Sequence, residues 1–251
     1  MLNTGTIKLM DNNPDSRTER IPYKTLTKEE LRETALERIH LIGEEFTKGF
    51  DFLEDYPKSV TFFGGSHFTE GDEFYKKANS LAVSIVRDLQ YSVVTGGGPG
   101  IMEAANRGAF EAGGTSLGLT IELSHKQIQN QYLTKKIDFY YFFSRKVCLS
   151  FSAEAYVFFP GGLGTLDEFF EIVTLVQTNK IEPVPIICFG SEFWNPLHEL
   201  MKNELLSRGT IEKEDLTLYT ITDDINHVLD IIRNAPVRNG VEFEYREPKI
   251  T

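Results

Sequence analysis

Residues 155–176, AYVFFPGGLGTLDEFFEIVTLV, decide the fold. Ala155–Phe159 is an apolar run without alternation, which suits a strand covered on both faces. Pro160 and the glycines Gly161, Gly162 and Gly164 break that run. Apolar residues then resume at steps of three and four, the period of a helix. Working outward, the same strand–turn–helix unit recurs. Further apolar runs lie at Val60–Phe63, Tyr91–Val94, Ser116–Ile121, Asp138–Phe143, Val184–Cys188 and Thr217–Thr220. Helical patterns fall between them, near 72–89, 101–112, 144–152, 165–178, 192–207 and 223–233. Unbroken apolar strands alternating with helices predict an α/β fold with a doubly wound parallel sheet, Rossmann-like, in a single domain.

Ahead of this domain, Thr27 and Glu30 have capping-box spacing. Leu31, Ala35, Ile39, Ile42, Phe46, Phe50 and Leu53 then form an amphipathic stripe, so a helix is expected over 28–54, stopped by Pro57. Residues 1–26 lack periodicity and read as a flexible N-terminal arm. The expected organisation is therefore arm 1–26, N-terminal helix 27–56 and Rossmann-like domain 57–251.

The composition, 41% hydrophobic and 25% charged, excludes disorder, collagen and coiled coil as the main architecture. No apolar run approaches about 18 residues, so no membrane span is expected. A polar N-terminus predicts no secretory signal. The net charge of −11 argues against a nucleic-acid surface. Cys148 and Cys188 have neither metal nor redox spacing and read as buried free thiols of a cytoplasmic protein. His40, His67, His125, His198 and His227 show no ligand spacing, so neither metal nor cofactor is expected.

In doubly wound sheets, ligands bind beyond the carboxyl ends of the strands. Three such loops stand out. Phe63-Gly64-Gly65-Ser66-His67 allows close backbone approach at Gly64 and Ser66. Thr95-Gly96-Gly97-Gly98-Pro99-Gly100-Ile101-Met102-Glu103 leaves backbone N–H groups able to face an anion; the alternative is a tight strand–helix turn. It departs from both the dinucleotide fingerprint and the Walker loop. The third is Pro160-Gly161-Gly162-Leu163-Gly164-Thr165, which opens a helix whose N-terminal dipole favours an anion.

Glu168 follows Thr165 at capping-box spacing, so it either closes the helix end or serves a site. At 100° per residue it lies off the polar stripe of Asp167, Glu171, Thr174 and Thr178, on an apolar flank. Upstream, Arg145 and Lys146 begin a helix, where cations oppose the dipole; they are either a solvated pair or a site for phosphate or a carboxylate partner. The apolar character of helix 165–178 on all sides predicts a second buried surface and hence at least a homodimer.

Gly96–Ala105, then Arg145-Lys146, then Pro160–Glu168 resemble the LOG (Lonely Guy) family of Rossmann-like phosphoribohydrolases, often mislabelled lysine decarboxylases. The resemblance spans about residues 58–235. It implies cleavage of a nucleoside 5′-monophosphate, AMP or a cytokinin riboside monophosphate, to free base and ribose 5-phosphate. It implies Arg145 and Glu168 as the catalytic pair. It also implies substrate contacts from Glu122, Lys146, Thr174 and the Gly162–Glu168 loop (Gly162, Leu163, Gly164, Thr165), beside those expected from Gly64, Ser66, Gly97, Gly98 and Met102. Glu103 stands where the plant-type pattern has glycine. Two other readings remain: a nucleotide or molybdenum-cofactor carrier of similar fold, and a nicotinamide-dependent oxidoreductase with Glu122 on the ribose.

Overall fold

The computed structural model describes residues 27–122 and 129–235; the expected arm over 1–26 lies outside them. Helix α1 (Lys28–Glu54) starts as the capping box requires. Thr27 N–H donates to Glu30 Oε2 at 2.8 Å, and Glu30 N–H donates to Thr27 Oγ1 at 3.2 Å. The chain separates into two units between His40 and Leu41. In the first, Leu31 and Ile39 of the expected stripe are exposed; in the second, α1 buries Gly49 and Leu53.

The sheet contains β1 (Ser59–Phe63), β2 (Ser92–Thr95), β3 (Ser116–Ile121), β4 (Lys135–Phe139), β5 (Ala155–Phe158), β6 (Ile186–Phe189) and β7 (Thr220–Thr222). All neighbouring pairs are parallel, in the order 4-3-2-1-5-6-7. Six helices alternate with the strands: α2 (Glu73–Ser84), α3 (Ile101–Glu111), α4 (Phe142–Ser150), α5 (Leu163–Gln177), α6 (Ser191–Leu200) and α7 (Ile225–Asn234). Because side chains alternate along a strand, β5 feeds both apolar layers. Tyr156 and Phe158 pack with Leu119, Phe169, Ile172 and Trp194. Ala155 and Val157 pack with Phe62, Leu81, Ile101 and Val228.

Several boundaries differ from the pattern-based expectation, and three of them are instructive. The strand expected at Asp138–Phe143 is Lys135–Phe139, and the one expected at Thr217–Thr220 is Thr220–Thr222. Both lie at sheet edges, where one side is open and a strand tolerates Lys135 and Lys136. The third is α5, which begins at Leu163 on Gly162 rather than at Thr165.

β1 lies between β2 and β5, so chain direction across the sheet reverses there. The turns after β1, β2 and β5 therefore meet at one crevice, the place such folds use for ligands.

Candidate active site

The crevice is knit together by backbone. Gly65 N–H donates to Pro160 O at 2.9 Å, and Ile101 N–H donates to Gly65 O at 3.1 Å. Gly100 makes this approach possible: its φ is +74°, and a Cβ there would stand 2.3 Å from Gly65 O. The resulting cleft has a volume of about 540 Å³ and is lined by glycine turns, an apolar wall of Phe63, Ile121, Phe142 and Leu149, and the charged pair Arg145 and Glu168.

Arg145 leaves α4 one turn after its start and is 9% exposed. Its Nε donates to Leu119 O at 2.7 Å and its Nη2 to Gly96 O at 3.4 Å. The guanidinium carbon lies 5.9 Å from the Phe142 ring centre. Gly96 is a glycine for space, since a Cβ there would sit 2.3 Å from Arg145 Nη2. Burial lowers the Arg145 pKa while the nearby Glu168 opposes that. Among the described residues no carboxylate forms an ion pair with it. A buried cation held only by carbonyl oxygens keeps several donors for an anion or an electron-rich ring.

Glu168 projects from the second turn of α5, 7% exposed, and its buried Oε2 has no hydrogen-bond partner. Thr165 lies inside the helix, and Gly162 caps it without a side-chain bond, so Glu168 does not close a capping box. Burial pushes its pKa from 4.5 to about 7, with Lys146 working against the shift and Glu171 adding to it. An acid poised near neutrality in a cleft is suited to proton transfer or to stabilising a developing cation.

Besides Arg145 and Glu168, the structure brings Gly64, Ser66, Met102, Gly162, Gly164 and Thr165 to the cleft. The other six expected contacts do not line it. Gly97 and Gly98 are buried on the far side of their turn, where Asn130 reaches them. Asn130 N–H donates to Gly97 O and its Nδ2 to Gly98 O, both at 3.0 Å. Asn130 is fixed in turn by the buried Asn106, whose Oδ1 also accepts from Thr95 Oγ1 at 2.6 Å. Leu163 is 87% exposed on the tip of α5. Glu122 and Thr174 are exposed. Lys146 holds Asp167 Oδ2 at 2.6 Å and Glu171 Oε2 at 2.8 Å. Burial works to lower its pKa, but those two carboxylates win and hold it above the usual lysine value.

The residue patterns singled out Gly96 only as part of its glycine turn and gave no role to Phe142 or Leu149. Phe142 was hidden in an aromatic run that reads as strand. Once α4 starts at Phe142, positions 142, 145 and 149 share one helix face, which is the signal that identifies them.

Fold and site together define a Rossmann-like α/β protein with its ligand cleft at the topological switch point. The family model described as "possible lysine decarboxylase" matches residues 102–232, and the chain belongs to that family, the LOG family. The cytokinin riboside 5′-monophosphate phosphoribohydrolase of Rhodococcoides fascians is 25% identical over 180 residues, covering 71% of this chain and 90% of that protein. Its namesake from Arabidopsis thaliana is 29% identical over 121 residues, covering 48% of this chain and 53% of that protein. Among solved structures, the molybdenum cofactor carrier protein of Chlamydomonas reinhardtii superposes with a TM-score of 0.52 at 20% identity, over 70% of this chain and 96% of that one; this likeness concerns the fold. Pyridoxal phosphate, which a lysine decarboxylase of that cofactor class holds as a Schiff base on lysine, does not fit this cleft: no lysine is among the described residues lining it.

Proposed function

We propose that the protein hydrolyses the N-glycosidic bond of a nucleoside 5′-monophosphate, AMP or a cytokinin riboside 5′-monophosphate. The observation that carries this reading is the buried, unpartnered carboxylate of Glu168 beside a glycine-lined helix start. In the reaction a water oxygen bonds to C1′, and the C1′–N bond breaks with its electron pair going to the base. One proton of the water ends on the base, giving free base and ribose 5-phosphate. Positive charge builds on the ribose ring on the way, as in other glycoside cleavages. Ionised Glu168 stabilises that charge and accepts the proton from water.

The Thr165 N–H of α5 already donates to Gly162 O at 3.0 Å, so the two N–H groups ahead of it, at Leu163 and Gly164, with no acceptor one turn back, provide the seat for the 5′-phosphate. Gly162 and Gly164 support this role. A Cβ at either would meet nothing within 4 Å, so protein packing does not demand glycine there. An approaching phosphate does. Arg145 supplies fixed positive charge opposite. Binding the remote phosphate orients C1′, so adenosine is expected to be a much poorer substrate than AMP.

The test is to incubate the purified protein with AMP and with isopentenyladenosine 5′-monophosphate, following free base by chromatography and ribose 5-phosphate by a coupled assay. Base release that disappears in Glu168→Gln supports the reading. A carrier would instead bind a pterin cofactor and release no base from any monophosphate. We also propose a homodimer, for which the exposed Leu163 and Phe170 on α5 offer apolar surface; light scattering at micromolar concentration checks it. The buried unpaired thiols Cys148 and Cys188 suit the reducing cytoplasm. Among the described residues no helix is long and apolar enough to cross a membrane.

A further inference from the structure

Helix α4 carries Arg145 yet lacks the features that usually start a helix. Tyr141 caps it without a side-chain bond, its first turn holds no acidic residue, and Arg145 and Lys146 follow at once. The first two leave the positive end of the helix dipole unsatisfied, and the two cations oppose it. The missing negative charge arrives from far away in sequence. Glu45 of α1 accepts the Tyr140 N–H on Oε1 at 2.6 Å and the Tyr141 N–H on Oε2 at 3.2 Å. The hydroxyl of buried Ser144, the residue before Arg145, donates to the same Oε2. One carboxylate thus binds three donors at the β4–α4 junction.

A second contact fixes the register of α1 against this junction. Gly49, one helical turn beyond Glu45, lies so close to α4 and β4 that a Cβ there would stand 2.5 Å from Cys148 Sγ and 3.0 Å from Phe139 Cζ. The close approach at Gly49 places Glu45 over the start of α4.

We propose that Glu45 is a positioning residue for Arg145, which makes α1 part of the site's machinery. The sequence distance has a physical rationale. An acidic residue within the first turn of α4 would lie beside Arg145 and pair with its guanidinium. Glu45 reaches the junction on the Ser144 side and forms no ion pair with Arg145 among the described residues. It satisfies the helix start and leaves the guanidinium on the carbonyls of Leu119 and Gly96, facing the cleft.

The proposal rests on the hydrolase reading only through its ligand, so its test has two arms. The first needs no ligand. Hydrogen exchange of the Arg145 Nε–H is followed by 15N NMR in the full chain and in Glu45→Gln, at temperatures well below both melting points. Glutamine keeps one oxygen but has neither the charge nor the second acceptor. Exchange at Arg145 should accelerate about tenfold or more, as expected where local opening is no longer restrained. Unchanged protection overturns the proposal, whatever the reaction proves to be.

The second arm measures AMP affinity by calorimetry in a Glu168→Gln background, where turnover does not interfere. Glu45→Gln should weaken binding about tenfold when Arg145 is present and less than about twofold in Arg145→Ala, the non-additivity of residues acting through one another. Equal losses in both backgrounds would show a general structural role and overturn the proposal. Absence of binding of both AMP and isopentenyladenosine 5′-monophosphate in every variant, with Arg145 protection still lost in Glu45→Gln, would sink the hydrolase reading and leave the positioning role standing.

Discussion

Replacing Glu168 by glutamine should remove turnover and at the same time stabilise the protein, by an amount that depends on pH. Burial holds the Glu168 pKa at about 7 against an ordinary 4.5. At about 1.4 kcal/mol per unit, that difference is a cost of about 3 kcal/mol for keeping the ionised group in the fold. Between those two pH values the folded protein binds more protons than the unfolded chain. Wild-type stability therefore falls as pH rises through this window and levels off above 7. Glutamine has no such dependence. The stability gap in favour of Glu168→Gln should be about 1 kcal/mol at pH 5.5 and about 3 kcal/mol at pH 8. The amide's own unmet hydrogen bond is a constant subtracted from both values. The diagnostic is thus the change in the gap, about 2 kcal/mol, or roughly 4–8 °C in Tm for a chain of this size. Paired thermal melts at the two pH values measure it, and AMP hydrolysis by the same samples should fall by about 10²–10⁴. A gap that stays constant with pH, or narrows as pH rises, would refute the burial of an unpaired acid at this position.

The wild-type kcat/KM for AMP should rise with pH through an apparent pKa near 7, because only ionised Glu168 assists; a profile falling across that range would make it a proton donor instead. Lys146→Met removes a cation that favours ionised Glu168, so this limb should move to higher pH, read from the same rate profile; a shift to lower pH would contradict the geometry. Gly162→Ala and Gly164→Ala should leave stability unchanged or raise it by about 0.4–1 kcal/mol, yet raise KM for AMP; an unchanged KM would remove the phosphate from this turn. Gly96→Ala forces a methyl against the Arg145 guanidinium and should lower kcat by about 10²-fold, checked by steady-state kinetics. Arg145→Ala separates the two uses of that cation: a raised KM alone places it on the phosphate, whereas a lowered kcat places it on the departing base.

The inner strands were legible because burial on both faces leaves long apolar runs, and β1, β3, β5 and β6 are buried throughout. The edge strands β4 and β7 were misplaced for the converse reason: half-exposed strands lose that run, and Tyr140 and Phe142 extended it wrongly. Glu168 is legible as a candidate because it lies on an apolar flank of its helix, although its spacing from Thr165 offers a capping box as the alternative. The start of α5 did not, because Gly162 caps it through its backbone and the Thr165–Glu168 spacing mimicked a side-chain cap. Lys146 is placed at the ligand by the resemblance, whereas its partners lie on another helix, out of reach of any local pattern. Only the docking of α4 against α5 shows that Asp167 and Glu171 claim it. Glu45 could not be read at all, as its three donors are about a hundred residues away.

These last two cases explain how the fold tolerates an unpaired acid and an unpaired cation in one cleft. Successive residues on a helix point about 100° apart, so Arg145 and Lys146 cannot both face the ligand. Lys146 turns to the polar stripe of α5 and ties the two helices together with a partly buried double ion pair. Arg145 turns into the cleft, toward the helix that bears Glu168. If both cations paired with α5, the cleft would hold a neutralised ion pair with little affinity for a phosphorylated ligand. If neither did, α4 and α5 would lack the link that fixes their spacing. Dividing the work between adjacent residues lets the Lys146 ion pairs hold the geometry in which Arg145 and Glu168 remain separate, at the cost of keeping Glu168 buried with an unmet oxygen. Stability and the proposed reactivity thereby fall on neighbouring positions of the same two helices, which is why substitutions at 145, 146, 167, 168 and 171 should be strongly non-additive.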